Sequence, residues 1–140
     1  MSDTDDYVAI IRLQQRYSRA VDGRDWPVAA GCFHTGSQAN YRGNRVQGPE
    51  GIIGHIRSVI ERFEVTQHLT GSPQLDLDGD RAVGDTYVVA NHVVDCGARQ
   101  CLVGARYDDE LVRLPEGWRF QERRTTILWF QGDIDLLRIG

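Results

Sequence analysis

Leu75-Asp76-Leu77-Asp78-Gly79-Asp80 decides the fold. An alternating apolar-polar run meets an Asp-Gly turn, and Ala82 to Val94 then resumes in strand-forming residues, which is the signature of a β-hairpin. Working downstream, a second turn near Asp95 to Ala98 leads into Cys101 to Val112. Pro115-Glu116-Gly117 then leads into a long last strand from Trp118 to Phe130. Working upstream, Val65 to Thr70 reads as a strand. Before Phe63 the apolar period changes from about 2 to about 3.6 residues.

That upstream half predicts three helices. From Asp5 to Asp22, the residues Tyr7, Ile10, Ile11, Gln14, Tyr17, Ser18 and Val21 share one side, with capping oxygens at Ser2, Asp3 and Thr4 and a stop at Gly23. A short helix follows Asp25, with Pro27 in its first turn. Gly48-Pro49-Glu50 opens a third helix that carries Ile52, Ile53, Ile56, Val59 and Ile60 on its buried side. Gln38 to Tyr41 reads as a short strand between them. Helices first and then an antiparallel meander define an α+β fold, with helices covering one face of the sheet. Strands this long curve, and Gly84 and Gly104 are candidate bends or bulges. The expected shape is a cone-shaped curved antiparallel sheet closed by about three helices around a pocket.

The bulk properties agree with one domain over 1–140. A chain of 140 residues can bury roughly 65–70% of its unfolded surface. Its 41% hydrophobic and 26% charged residues indicate neither disorder nor a membrane protein. The acidic start, Met1 to Tyr7, lacks the basic flank and apolar stretch of a signal peptide, so a cytoplasmic location is expected. A net charge of −4 argues against nucleic acid as a partner. Every basic residue is Arg, a side chain suited to anionic groups. Cys32, Cys96 and Cys101 match no zinc spacing and read as reduced thiols.

Two residues stand out chemically. Asp22 ends a helix, where the macrodipole disfavours a carboxylate by a few tenths to about 1 kcal/mol, so something must compensate it. His68 shares a strand face with Thr66 and Thr70. An aspartate accepting the proton of one imidazole nitrogen would fix the other as a base and stabilise the imidazolium. Tyr17 lies on the packed side of the first helix. Arg123 and Arg124 are adjacent in a strand, so one of them points inward and needs an anion. Tyr41, Tyr87 and Trp26 bear on the shape of any pocket.

Other signals fail on inspection. Asp76-x-Asp78-x-Asp80 begins like a calcium loop, but Arg81 stands where glycine is needed and Tyr87 where the bidentate glutamate belongs. Gly48-x-x-Gly51-x-x-Gly54 lacks the spacing of a dinucleotide fingerprint. No serine has a nucleophile-elbow context. His34, His55 and His92 lack metal-ligand spacing, so neither a metal nor a cofactor is expected.

Taken together, Ile11-x-Leu13-x-x-x-Tyr17-x-x-x-x-Asp22-Gly-x-Asp-Trp26, Gln67-His68, Leu75 to Asp80 and Gly117-Trp118-Arg-Phe-x-x-Arg123 span nearly the whole chain. They resemble the SnoaL-like branch of the nuclear transport factor 2-like superfamily, which includes scytalone dehydratase, bile acid 7α-dehydratase and hexachlorocyclohexane dehydrochlorinase. The resemblance implies an Asp22–His68 catalytic dyad, a pocket tyrosine at Tyr17 and a pocket arginine at Arg123. Asn91 stands where the bile acid dehydratase carries a functional aspartate, a departure at a position expected to meet substrate. The implied activity is a cofactor-free lyase or isomerase acting on a small organic molecule. A polyketide-type cyclase using the same dyad and a non-catalytic binding module are the alternatives. Such cones pair through their open sheet face, so a homodimer or homotrimer is expected, with Ile127, Trp129 and Phe130 as apolar contacts.

Overall fold

A computed structural model describes residues 2–138. Helix α1 (Asp3–Asp22) starts at a capping box, in which Ser2 Oγ accepts from the Asp5 N–H and the Asp5 carboxylate accepts from the Ser2 N–H. It stops at Gly23, but the left-handed turn falls one residue later, on Arg24 with φ 59°. Asp25 caps α2 (Trp26–Gly31) by accepting from the Val28 N–H. Strand β1 (Phe33–Tyr41) turns back into β2 (Asn44–Gln47), and α3 (Gly48–Ile60) follows. The remainder is β3 (Val65–Thr70), β4 (Gln74–Asp78), β5 (Arg81–Val94), β6 (Arg99–Leu114), β7 (Gly117–Gly132) and a short 3-10 turn, Ile134–Leu137.

The seven strands form one sheet in the order β2-β1-β7-β6-β5-β3, with β4 also paired to β5. The sheet is mixed, not wholly antiparallel as the sequence suggests: β1 runs parallel to β7, with Ala39 opposite Arg123. A hairpin turn dictates antiparallel sense only between sequence neighbours, and no turn joins β1 to β7. Strand β1 also begins at Phe33, well before Gln38, and β2 was not anticipated.

Gly104 does mark an irregularity. Register slips there because Gly104 faces Trp129 while Ala105 faces Ile127. A Cβ on Gly104 would sit 2.0 Å from the Trp129 ring. Gly84 is no bulge; it allows close strand approach, since a Cβ there would lie 1.9 Å from the Gln74 carbonyl oxygen.

The helices press on the inner face of the sheet. Ile10, Leu13, Tyr17 and Val21 of α1 and Ile52, Ile53, Ile56 and Ile60 of α3 pack with Phe33, Leu111, Trp118 and Phe120. A second cluster, Val88, Cys101, Val103, Ala105 and Tyr107, lies further along the sheet. Ala90 and Ala105 are too small to fill the space between that cluster and the helices, and a cavity of about 460 Å³ remains. That volume falls within the range of small-molecule sites. Ile127 lines this cavity, so of the three expected contacts only Trp129 and Phe130 are exposed. Among the described residues no helix is long and apolar enough to cross a membrane.

Candidate active site

Asp22 and His68 meet where the end of α1 reaches β3. Asp22 Oδ1 lies 2.6 Å from His68 Nδ1. Asp22 Oδ2 accepts from the His68 backbone N–H at 2.8 Å, and Oδ1 also accepts from Thr66 Oγ1 at 3.0 Å. Hydrogen bonds to a charged group contribute about 1.5–3 kcal/mol each, more than the helix-end penalty, and this is the compensation Asp22 requires. Burial acts to raise its pKa, but the bonds from His68 and Thr66 prevail and hold the carboxyl below the usual range. An ionised Asp22 can only accept, so Nδ1 carries the imidazole proton and Nε2 is left as the basic nitrogen. His68 lines the cavity, with its side chain 10% exposed.

Arg24, which the sequence reading passed over, holds this arrangement together. Its guanidinium donates to Thr66 Oγ1 at 2.7 Å and to the carbonyls of Val21, Asp22, Ile60 and Phe63. It therefore ties the C-terminal ends of α1 and α3 to β3, where both helix dipoles favour a cation.

His92 is the second overlooked residue. It is buried on β5, its Nδ1 lies 3.1 Å from the Cys101 carbonyl oxygen, and its ring sits 6.3 Å from that of His68. A carbonyl accepts only, so Nδ1 holds the proton and Nε2 is an acceptor. Burial pushes its pKa below the ordinary histidine value, which keeps the ring neutral. A signal existed: Thr86, Val88, Ala90 and His92 alternate along β5, so the period of 2 places His92 on the inner face.

The other expected residues separate. Tyr17 and Tyr41 both line the cavity, as do Tyr107 and Thr125. The Tyr41 hydroxyl and Thr125 Oγ1 are buried without a hydrogen-bond partner. Burial, the largest influence, raises the phenol pKa of Tyr17, Tyr41 and Tyr107, so each keeps its proton and remains a donor. Arg123 is the inward arginine, but it lies behind the cavity wall. Its guanidinium donates to both oxygens of Asp109, at 2.7 and 2.9 Å, and to Gln14. It also stacks on Tyr107 at 3.9 Å and Phe120 at 4.1 Å. Arg124 faces outward toward Asp108. Asn91 is bonded to the Gln100 side chain and does not line the cavity. Among the described residues no cluster of three or more His, Cys, Asp or Glu is gathered as a metal would require.

The SnoaL-like domain family matches residues 2–124. The chain belongs to this family. It is 30% identical over 132 residues to the uncharacterized protein Rv2910c of Mycobacterium tuberculosis, covering 90% of this chain and 88% of that one. Among solved structures, a protein assigned as a scytalone dehydratase from Novosphingobium aromaticivorans superposes with a TM-score of 0.84 at 20% identity, over 94% of this chain and 91% of that one. A hexachlorocyclohexane dehydrochlorinase of type 3 from Novosphingobium barchaimii gives 0.79 at 20% identity, over 95% and 93%. At these identities the likeness is one of fold, the α+β cone. The fold thus occurs in proteins named as a dehydratase and a dehydrochlorinase, and fold alone does not fix function.

Proposed function

We propose that the SnoaL-like chain is a cofactor-free lyase or isomerase that moves a proton on a small organic substrate bound in the cavity. The observation that carries this reading is the 2.6 Å contact between Asp22 Oδ1 and His68 Nδ1, which leaves one imidazole nitrogen basic beside the cavity. His68 Nε2 takes a proton from a carbon next to a carbonyl; the C–H electron pair forms a carbon–carbon double bond and the carbonyl π pair moves onto oxygen, giving an enolate. Asp22 stabilises the imidazolium so formed. The Tyr41 and Thr125 hydroxyls, buried and unpartnered, donate to the developing oxyanion. The enolate pair then moves back from oxygen and either expels a β-hydroxyl, which takes the imidazolium proton and leaves as water, or, in a substrate with a conjugated carbon–carbon double bond, takes that proton at the γ carbon. His92 Nε2 accepts a hydrogen bond from that hydroxyl and orients it.

The test is proton–deuterium exchange at C1 of 2-tetralone in D₂O, followed by NMR with the full chain and with His68→Gln. Exchange should be faster with the unmodified chain by about 10²- to 10⁴-fold, the usual contribution of a positioned base. Equal rates for the two proteins would overturn the assignment of His68 as base.

A further inference from the structure

The end of the cavity away from the dyad has a different character. Strand β3, with His68, is one edge of the sheet order, and β1 and β2 are the other. Arg42 in the turn that joins β1 to β2, and Asn44 at the start of β2, are both exposed and both line the cavity. Arg42 has φ 57° and Gly43 φ 87°. Both values are what a two-residue hairpin turn between paired Tyr41 and Asn44 requires, and the turn fixes Arg42 at the rim. The Arg42 guanidinium makes no ion pair or hydrogen bond among the described residues, whereas Arg57, Arg99, Arg106 and Arg113 each have a carboxylate partner. Unpaired arginines also occur elsewhere on the surface, but Arg42 is the one at the cavity rim.

Beside it, His55 stacks on Tyr41, ring centres 5.0 Å apart and planes within 18°. His55 Nδ1 accepts from Asn44 Nδ2 at 3.2 Å, so the ring proton is on Nε2. No carboxylate side chain is among those lining the cavity. A planar guanidinium fork and one imidazole N–H, with no opposing anion, match a planar monoanion. A phosphate dianion would call for more cations than this rim supplies.

We propose that Arg42 and His55 form a carboxylate-recognition subsite at the rim, so that the substrate is a small organic acid anchored there with its reacting carbon toward His68. The second half of that statement rests on the acid–base reading above, and the rim subsite itself does not. Binding is therefore tested without turnover, by calorimetric titration of the full chain with 1-naphthoate and with its neutral isostere 1-naphthamide. Naphthoate should bind about tenfold tighter, as expected for one charge-assisted contact partly open to solvent, and the preference should shrink at high salt. In Arg42→Ala the acid-over-amide ratio should fall to within about twofold. Arg42→Gly, which suits the positive φ, should do the same with a melting temperature no lower than that of the parent. Equal affinity for acid and amide, no binding of naphthoate, or a preference that survives both substitutions would overturn the proposal. Because 2-tetralone carries no carboxylate, exchange is also followed with a carboxylate-bearing 2-tetralone: failure there with retained acid preference would strike the acid–base reading alone.

Discussion

Two aspartates on this fold each hold a nitrogen base, and they do opposite things. Asp109 and Arg123 are sealed in the wall between α1 and the sheet, with side chains 2% and 0% exposed, whereas Asp22 and His68 are 23% and 10% exposed beside the cavity. Arginine does not release its proton in proteins, so the first pair is a fixed charge whose work is structural. An imidazole, unlike a guanidinium, can act as both acid and base, so the second pair can take part in chemistry. The difference in partner and exposure, more than distance, separates scaffold from site: both pairs have contacts near 2.7 Å.

The sharpest way to break this contrast is to compare losses of different kinds. His68→Gln should lower any proton-transfer rate by up to about 10⁴-fold, with a small change in melting temperature. Asp109→Ala should do the reverse. It leaves a buried guanidinium uncompensated, at a cost of about 3–5 kcal/mol, or a fall in melting temperature of about 10 °C for a chain of this size, read by calorimetry. Replacing both members, Asp109→Leu with Arg123→Met, should recover much of that loss. If the single and double variants melted together, the pair would not be structural in the sense argued.

The smallest effect concerns pH. Burial depresses His92 below the ordinary 6.5, so the unfolded chain binds protons there more readily than the folded one. The stability it contributes is present above pH 6.5 and is lost as pH falls through the lower folded value. His55, also lowered by burial, adds to the same step. Asp22 is depressed below 3.8, so its contribution is present above pH 3.8 and is lost as pH falls from there through the lower folded value. Denaturant melts from pH 8 to pH 2 should show the two steps, and His92→Gln should reduce only the upper one.

Much of this was legible in the sequence, for local reasons. Periodicity and turn chemistry placed α1, α3 and the β4–β5 and β6–β7 hairpins, because each depends on neighbours in the chain. The parallel pairing of β1 with β7 was not legible, since nothing local sets its sense. Asp22 was conspicuous as an anomaly at a helix end, and the structure brings it to His68. Arg123 was seen to need an anion, but choosing between substrate and protein required the β6–β7 register that puts Asp109 directly opposite. Testing the histidines only for metal spacing hid His92, although strand alternation pointed it inward. Arg24 carried no signal, because its partners, backbone carbonyls at the ends of α1 and α3 and the Thr66 hydroxyl, lie far apart in the sequence.

Arg24 also makes the site conditional. One guanidinium grips the last carbonyls of α1, the end of α3 and the Thr66 hydroxyl that steadies Asp22. The imidazole is aimed only while both helices are seated, so the pair behaves as a coincidence circuit, armed when the shell is shut. Amide exchange at Phe63 and His68 should then rise together if the clamp is cut, a readout of assembly that needs no substrate.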